Sequence, residues 1–594
     1  MSSKSFIEKD VLSWILSKPW TKYYDEYVPK ELEIKEDVAH EIFRRVASEE
    51  KDRTFLIFFN KSYSYREIDL LSDAVAIMLK EDGFEKGDVA SIMLPNTPQF
   101  AIALLGILKA GGIATLMNPL YTSSEMLYQI KNSEAKYLFI LDLFYGRYKE
   151  IEDKTSLRKI YVTSIADALG FPLNILYRLK EKPPKIPQTD KVKNLMPRIM
   201  RIKKDLEAKK IQPPKVEVAS EDRALIMYTG GTTGVPKGAV ILHRNIVANM
   251  QQVAAWHPPK PDGSRIRYIM AGVLPWFHIY GLITVFFTGY YTRSTIVVFP
   301  RWDLETVLKE IERRKIEVFH GVPTIYTYIV NSPLAKKYNL RSLVTSISGA
   351  APLPVEVLKK YEELTGARLR EGYGLTETAV VTHVNPIYGK YKPGSIGVPI
   401  PNTYAAIADP EQPRLLPPGE IGEVVISGPQ VFAGYHNMPE ENAKVFFELG
   451  GLRWFRTGDL GYVDEEGYFY IVDRKKDMIK YKGYSVYPRE IEEILYKHEA
   501  VAEAAVVGLK DPIGIAGEIP IAFVVLKKEY EKKVGENEIL EYLKKHLASY
   551  KVPKRVIFVD KLPKSAVGKI LKREIRDKAK ISVVGEEIKI EYSV

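Results

Sequence analysis

The sequence predicts a protein of mixed α/β and α+β class, with a large N-terminal α/β domain of several subdomains and a small, mobile C-terminal α+β domain. Apolar runs typical of buried strands, such as VASIML, KYLFIL, ALIMY and STIVVF, alternate with helical patterns such as FAIALLGILKA and DLETVLKEIERRK. This alternation favours helices layered on partly parallel sheets. The length of 594 residues also exceeds the usual size of one domain.

A change of pattern near Asp473 predicts the domain boundary. The charged, glycine-ended stretch DRKKDMIKYKG is followed by IEEILYKH, AEAAVVGL, IAFVVL and EILEYLKKHLASY. Together they span about 120 residues, which suffices for a small domain. We therefore expect one domain at residues 1–475 and a second at 476–594.

Composition excludes several classes of protein. Hydrophobic residues make up 46% of the chain, as in globular proteins, and the absence of cysteine excludes disulfides, thiolate metal sites and thiol nucleophiles. The N-terminal stretch MSSKSFIEKDVLSWILSKPW lacks the features of a signal peptide, and we expect it to be mature chain. Lys109 and Arg293 interrupt the most apolar windows. We expect a cytoplasmic protein without a transmembrane helix.

The positive charge is concentrated in one segment. The chain carries a net charge of +11, and residues 178–210 hold twelve Lys or Arg against four Asp or Glu. Three interpretations stay open: a solvated insertion broken by prolines, a weak contact with an anionic membrane surface, and a nucleic-acid contact. Isolated basic runs are weak signals, and we expect no nucleic-acid partner.

The stretch YTGGTTGVPKGAV, residues 228–240, resembles a phosphate-binding loop but fails the Walker pattern. Val235 and Pro236 stand between Gly234 and Lys237, and the following AVIL predicts a strand rather than a helix. A strand, a glycine-rich loop and a strand remain, whose backbone amides and threonine hydroxyls could surround phosphate oxygens. Taken alone, the stretch is also compatible with an ordinary glycine-rich turn.

Further segments place this loop in a family pattern. They are SGAAPLP (348–354), EGYGLTET (371–378), RTGDL (456–460), DRKKDMIKYKGYSVYPREIEE and PKSAVGKILKREI. In order and approximate spacing they resemble the adenylate-forming superfamily of acyl-CoA synthetases, luciferases and peptide-synthetase adenylation domains. The resemblance covers essentially the whole chain.

Within that superfamily the chain most resembles long-chain fatty acyl-CoA ligases. The features concerned are the Gly230–Gly231 form of the loop, the segment LPWFHIYGL, the segment NPLYTSSEM (118–126) and an insertion at about residues 142–215. Many relatives carry serine where this chain has Gly230, so one hydroxyl donor to phosphate is absent and a backbone amide of the loop would replace it.

The resemblance implies ATP, Mg²⁺ and coenzyme A as cofactor and cosubstrates. Asp459, assisted by Arg474, would bind the ribose hydroxyls, because a carboxylate accepts from both. Glu377 would bind Mg²⁺ and Thr376 the α-phosphate. The residues expected to contact ATP or AMP are Thr229, Gly230, Gly231, Thr232, Thr233, Gly234, Lys237, Gly349, Ala350, Ala351, Glu371, Gly372, Tyr373, Gly374, Thr376, Asp459 and Arg474.

The resemblance also implies two half-reactions served by one mobile domain. Lys569, Thr376 and Glu377 would catalyse attack of the carboxylate on the α-phosphorus, with Lys569 as the positioned cation. The C-terminal domain would then rotate about Lys476, and Lys480 and Gly483 would face the site for thioester formation.

The acyl pocket is the least readable part of the sequence. By resemblance it contains Gly281, Gly321 and Gly349, which would leave space for a medium or long chain. His278 is either a residue of the pocket wall or a satisfied buried histidine, and both interpretations stay open.

Alternative functions also stay open. They are transfer of the activated acyl group to a carrier protein, ligation of an aryl, hydroxy or short-chain acid, and surface binding by a protein with a vestigial nucleotide site. We expect small-molecule substrates, with weak membrane contact left open, and a monomer or homodimer.

Overall fold

The computed structural model describes residues 8–229, 236–260, 262–264, 266–512, 514, 516–531, 533–565, 568–584 and 587–592. The chain divides into two compact units. The larger unit comprises Trp20–Tyr404 and Ile426–Phe447, and the smaller unit comprises Met1–Pro19, Ala405–Val425 and Glu448–Val594. Each unit has mixed helices and strands, which confirms the predicted fold class.

Two largely parallel sheets form the frame of the larger unit. The first runs in the order β16 (Val398–Pro399), β15 (Val380–Val384), β14 (Arg368–Leu375), β13 (Thr345–Ser348), β12 (Val318–Gly321), β10 (Ile269–Gly272), β11 (Thr295–Val298), β1 (Thr54–Phe58) and β2 (Lys61–Ser64). The second runs in the order β19 (Gly434–Tyr435), β9 (Lys237–Leu242), β8 (Arg223–Thr229), β4 (Ile113–Leu116), β3 (Val89–Met93), β5 (Tyr137–Leu141), β6 (Lys159–Thr163) and β7 (Val192–Asn194).

The helices of the larger unit lie between these strands along the chain. They are α2 (Ala39–Glu49), α3 (Tyr65–Glu81), α4 (Pro98–Lys109), α5 (Ser123–Asn132), α6 (Tyr145–Lys149), α7 (Leu173–Glu181), α8 (Leu195–Glu207), α9 (His243–Trp256), α10 (Ile279–Gly281), α11 (Thr288–Tyr291), α12 (Leu304–Arg314), α13 (Pro323–Asn331), α14 (Val355–Thr365) and α15 (Pro439–Val445). A π-helical segment, Leu282–Phe287, joins α10 to α11.

Helix α4 explains the most apolar window of the sequence. The Thr97 side chain accepts from the Phe100 amide and Pro98 begins the helix, a favourable N-terminus. Every residue of α4 is buried, and Lys109 at its end pairs with Asp69 and Asp73. None of the described helices is long and apolar enough to cross a membrane.

The smaller unit is built from short sheets and helices, and its part from Ile479 to Ile575 packs around an apolar core. The strands that lie wholly or partly in it are β17 (Tyr404–Ala408), β18 (Gly422–Ser427), β20 (Phe446–Leu449), β21 (Leu452–Val463), β22 (Phe469–Arg474), β23 (Ile479–Tyr481), β24 (Tyr484–Val486), β25 (Val501–Lys510), β26 (Glu518–Leu526), β27 (Arg555–Phe558), β28 (Ala579–Val584) and β29 (Glu587–Tyr592). Its helices are α1 (Glu8–Leu16), α16 (Pro488–Leu495), α17 (Glu536–His546) and α18 (Lys572–Lys578).

The predicted boundary lies inside the smaller unit. Residues 475 and 476 follow β22 and precede β23, and the strands β17, β18 and β21 on the N-terminal side belong to the same unit. A hinge concerns movement between two conformations, so residues 475–476 stay a predicted boundary.

The basic segment is only partly irregular. Strand β7 extends the second sheet beside β6, and α8 buries Leu195, Ile199, Ile202 and Leu206. Arg198 of α8 is within 2.9 Å of Glu81 and also contacts Asp82. These four apolar residues of α8 therefore belong to the core, and part of the positive charge of the helix is compensated.

Candidate active site

Strands β8 and β9 carry the ends of the predicted phosphate loop. They pair antiparallel, with Thr229 opposite Lys237, so the predicted strand–loop–strand order agrees with the structure on both sides. The loop residues Gly230, Gly231, Thr232, Thr233 and Gly234 lie outside the described residues.

A chain of polar contacts leads from Lys237 to the predicted magnesium ligand. The Lys237 ammonium pairs with Glu441 and lies 5.2 Å from the centre of the Tyr435 ring. The Tyr435 hydroxyl donates a hydrogen bond of 2.8 Å to Glu377 Oε1. Burial, followed by the Glu377 charge, raises the pKa of Tyr435 well above its ordinary value, so the hydroxyl stays a donor.

Tyr435 and Glu441 are candidate site residues that no sequence motif indicates, and the fold explains why. Tyr435 lies in β19 and pairs with Ala239 of β9, which brings it beside β9 from a distant part of the chain. Glu441 follows in α15. Neither residue lies in a motif with recognisable spacing, and only the β19–β9 pairing brings them to Lys237.

The chemistry of Glu377 fits a magnesium site completed by phosphate. The described residues contain no group of three or more His, Cys, Asp or Glu side chains placed to hold a metal ion. Mg²⁺ commonly takes one or two carboxylates and fills its remaining positions with phosphate oxygens and water. Glu377 is buried, and the one hydrogen bond to its carboxylate in the described part of the chain leaves Oε2 without a donor.

The predicted adenine wall follows strand β13. Gly349 is buried, whereas Ala350 and Ala351 are exposed, and Ala350 has a positive φ of 70°. Glu371 lies opposite Ser348 in the parallel β13–β14 pair and accepts from the Leu353 amide at 3.0 Å. This bond ties the 349–353 segment back onto β14.

Part of the EGYGLTET segment is constrained by packing. A Cβ on Gly374 would lie 1.3 Å from the Val380 carbonyl oxygen, so only glycine fits at this bulge of the β14–β15 pair. Gly372, Tyr373 and Thr376 are half-buried. The glycine signal at 374 therefore has a local structural cause, and its contact with ATP stays a prediction.

In the smaller unit, the structure brings together Asp459, Arg474 and Lys569. Asp459 of β21 lies opposite Arg474 of β22, and Arg474 Nε is 3.2 Å from Asp459 Oδ1. Burial and the positive charge of Arg474 lower the pKa of Lys569 to about 8, against the opposing attraction of Asp459. The Lys569 ammonium is therefore close enough to interact electrostatically with both Arg474 and Asp459.

Short contacts fix the turn that carries Lys569. The Lys569 amide donates to Ser565 Oγ at 3.2 Å, and the Ser565 amide donates to the Lys569 carbonyl at 2.8 Å. Lys572 follows in α18 and pairs with Glu492 at 2.8 Å, which anchors the helix directly after the turn.

The residues predicted for the hinge and for thioester formation follow Arg474 closely in the sequence. Asp477, next to Lys476, pairs with Arg576 of α18 at 2.9 Å. Lys480 lies in β23, with its ammonium 3.1 Å from Ser485 Oγ. Gly483 has a φ of 84° in the β23–β24 turn, and a Cβ there would meet nothing within 4 Å. Its glycine is explained by the turn, and a role beside pantetheine stays a prediction.

Aromatic rings occupy the space beside two of the predicted pocket glycines. A Cβ on Gly321 would meet the Tyr326 ring at 3.0 Å, and one on Gly349 would meet the Tyr280 ring at 3.1 Å. A Cβ on Gly281 would lie 2.6 Å from the Pro275 carbonyl oxygen. In this conformation the three glycines admit close packing rather than an open channel.

His278 is the N-cap residue of helix α10. It is half-buried, and its Nδ1 accepts from the Tyr280 amide at 3.2 Å. One ring nitrogen therefore has a structural role, which is compatible with either interpretation of this residue.

Comparison with known proteins agrees with this arrangement. The model of the AMP-binding enzyme family matches residues 43–436, and the model of the AMP-binding enzyme C-terminal domain matches residues 490–569. The long-chain-fatty-acid–CoA ligase of Bacillus subtilis is 41% identical over 94% of this chain and 97% of its own length. The 4-coumarate–CoA ligase 1 of Petroselinum crispum is 34% identical, covering 94% and 96%.

A solved structure extends the likeness to three dimensions. The crystal structure of ATP-bound MatB from Rhodopseudomonas palustris aligns with a TM-score of 0.78 at 29% identity, covering 91% of this chain and 99% of that one. The family models together cover most of the chain, including Glu377 and Lys569. The chain therefore belongs to the AMP-binding, adenylate-forming enzyme family.

Proposed function

We propose that this protein is an AMP-forming acid–thiol ligase that activates a medium- or long-chain fatty acid with ATP and transfers it to coenzyme A. The observation that carries the proposal is the placement of Lys569 beside the Asp459–Arg474 pair. A cation next to the predicted ribose site is positioned to act where adenylate forms. The likeness to a long-chain-fatty-acid–CoA ligase supports the substrate class.

In the first half-reaction, an oxygen of the fatty carboxylate bonds to the α-phosphorus of ATP and the bond from phosphorus to pyrophosphate breaks. Lys569, protonated below its pKa of about 8, stabilises the charge that develops on the transferred phosphoryl group. Asp459 accepts hydrogen bonds from the ribose hydroxyls, and Arg474 holds that carboxylate in place. Thr376 donates to the α-phosphate.

Glu377 is the proposed protein ligand of Mg²⁺, which supplies positive charge to the phosphates when it is bound. Tyr435 orients Glu377 through its hydrogen bond to Oε1, and Oε2 is the oxygen that would bind the ion. Lys237 and the 230–234 loop are the proposed contacts of the phosphates. Tyr435 and Glu441 therefore act as positioning residues for Glu377 and Lys237.

In the second half-reaction, the thiolate sulfur of coenzyme A, which has lost its proton to solvent, bonds to the acyl carbon. The bond from that carbon to the phosphate oxygen breaks, and AMP leaves. We assign this step to a second conformation reached by rotation of residues 476–594 about Lys476. Lys480 and Gly483, which lie on the exposed β23–β24 hairpin, would then face the substrate. Separate conformations let one site use Lys569 first and admit a thiol later.

The acyl pocket we propose lies around Tyr280 and Tyr326. Both rings are buried, and both hydroxyls donate to the Ile347 carbonyl, at 3.1 and 2.9 Å. Rotation of these rings would open space beside Gly349 and Gly321 for a chain. The likeness to a 4-coumarate–CoA ligase makes an aryl acid the second candidate substrate.

A panel of acids tests both candidates. AMP formation would be measured for short, medium and long fatty acids and for aryl acids, each with and without coenzyme A. We expect coenzyme A-dependent turnover that is highest for medium or long fatty acids. Turnover confined to aryl acids would replace fatty acids as the substrate class. Turnover only with a carrier protein that bears a free thiol would replace coenzyme A as the acceptor.

Weak contact with an anionic membrane belongs to the same proposal. A long-chain acid partitions into bilayers, and a basic protein surface is attracted to anionic lipid. The net charge of +11 supports this contact.

A further inference from the structure

Helix α7 presents an apolar surface that the larger unit does not cover. Phe171, just before the helix, is 78% exposed, and Leu179 near its end is 67% exposed. Ile175 and Leu176 are 48% and 53% exposed, and no residue of α7 is buried. Single exposed apolar residues are common on protein surfaces, whereas a contiguous group marks a contact surface.

The helical spacing places these side chains together. Ile175 and Leu179 are four residues apart and therefore lie one above the other on the helix, with Leu176 beside them. Phe59 extends the same surface. Asn60, which follows it, donates to the Phe171 carbonyl at 3.3 Å and accepts from the Gly170 amide at 3.1 Å, and Phe59 is 46% exposed.

Basic residues border this apolar surface. Arg178 and Lys180 flank Leu179 in the helix, and Lys182 and Lys185 follow it, all four exposed. Arg178 also pairs with Asp167, 2.7 Å away, which fixes the helix end to the preceding turn. An apolar helix face with cations at its edges is the arrangement of helices that lie in the interface of a bilayer.

We propose that the α7 face, defined by Phe59, Phe171, Ile175, Leu176 and Leu179 with Arg178, Lys180, Lys182 and Lys185, docks on an anionic lipid bilayer. The apolar side chains enter the region between headgroups and acyl chains, while the lysines bind the anionic headgroups. A second copy of this chain is the poorer occupant, because it would bring the same cations face to face on a protein of net charge +11.

The docking face is distinct from the basic part of α8. Helix α8 buries Leu195, Ile199, Ile202 and Leu206, whereas Met200 is 39% exposed, and Lys203 pairs with Glu207 at 3.0 Å. Its cations can therefore add long-range attraction, but Met200 alone does not make a contiguous apolar face that could insert. In one respect the inference rests on the proposed function, since a fatty acid dissolved in the bilayer is what makes docking useful.

Co-sedimentation with vesicles tests the docking. The protein is mixed at low salt with vesicles of equimolar phosphatidylglycerol and phosphatidylcholine, or of phosphatidylcholine alone. We expect binding to the anionic vesicles only. Phe171→Ser with Leu179→Ser should weaken it about 10²-fold, roughly tenfold for each apolar side chain removed from the membrane. Replacing Lys180, Lys182 and Lys185 by Gln should weaken it about fivefold per lysine.

A matched pair of isoleucines controls for surface hydrophobicity. Ile175 and Ile421 are both 48% exposed, and Ile421 lies in the smaller unit beside Glu420. Ile175→Ser should weaken vesicle binding and Ile421→Ser should leave it unchanged. Thermal unfolding of every variant should match the wild type, since none of these side chains is buried.

Three outcomes would overturn the inference. They are equal binding to both kinds of vesicle, retention of binding by the Phe171→Ser/Leu179→Ser variant, and a dimer without vesicles that the same variant dissociates. AMP formation with a water-soluble medium-chain acid is measured in parallel. Lost vesicle binding with intact turnover rejects only the docking face, whereas absent turnover with intact binding rejects only the ligase.

Discussion

The lowered pKa of Lys569 predicts an alkaline limit to the first half-reaction that an ordinary lysine would not produce. Burial and Arg474 bring its pKa from 10.5 to about 8. Because the proposed role needs the ammonium, the rate should follow the protonated fraction. That fraction is about nine-tenths at pH 7 and about one-tenth at pH 9. We therefore expect kcat/KM for adenylate formation to fall about tenfold over this range.

The assay is pyrophosphate release from ATP and a fatty acid in the absence of coenzyme A, so that ionisation of the thiol plays no part. The quantity measured is kcat/KM for ATP, because it reports the pKa values of the free enzyme. Bound triphosphate would stabilise the ammonium, so the limb in kcat should lie at higher pH than the limb in kcat/KM.

The control is Lys569→Arg, whose guanidinium keeps its charge throughout this range. The variant should be slower than the wild type at pH 7, because its geometry differs, but its rate should not fall between pH 7 and pH 9. A wild-type profile that is flat to pH 9.5, or one whose limb is shared by Lys569→Arg, would refute the assignment of the limb to Lys569.

Four further predictions concern Lys569, Glu377, Tyr435 and Lys480. Lys569→Met should stabilise the folded protein at neutral pH, because the native state favours the neutral lysine. The gain in the free energy of unfolding is about 1–3 kcal/mol after allowing for partial exposure. It should be full below pH 8 and vanish above pH 10.5. Chemical denaturation that gives the variant and the wild type the same stability at pH 7 would contradict this prediction, as would a gain of the same size at pH 7 and pH 10.5. Glu377→Gln should slow turnover most at limiting Mg²⁺ while thermal unfolding without ligand stays near wild type, and Tyr435→Phe should raise the Mg²⁺ concentration needed for half-maximal rate several-fold; unchanged rates at limiting Mg²⁺ would remove Glu377 as the ligand. Lys480→Ala should slow thioester formation from supplied acyl-adenylate and leave the rate of pyrophosphate release unchanged. This variant tests the thioester step better than Gly483→Leu, because the φ of 84° at Gly483 would strain the backbone of a residue with a side chain.

Local sequence patterns sufficed for the frame of the protein. Apolar runs such as ALIMY and STIVVF become the buried strands β8 and β11, and the apolar window at residues 100–109 becomes the wholly buried helix α4. Period and turn chemistry act over a few residues, so they can be read from one sequence.

Contacts between distant segments could not be read in the same way. Tyr435 contacts Glu377 only because β19 joins the edge of a sheet at β9. The bounds of the smaller unit likewise depend on distant contacts, because residues 405–425 and 448–463 group with the later strands. The charge of residues 178–210 is evident from the sequence, whereas the exposed apolar residues of α7 are of the same residue types as those that form the core. Burial separates α7 from α8, and burial is a property of the folded chain.

The two half-reactions of Lys569→Ala provide the most direct test of the proposed mechanism. Pyrophosphate release would be measured from ATP and a fatty acid, and thioester formation from supplied acyl-adenylate and coenzyme A. We expect the first rate to fall about 10²-fold or more, as when other positioned donors are lost, and the second to stay close to the wild type. Equal loss of both rates would contradict a Lys569 that serves only adenylate formation.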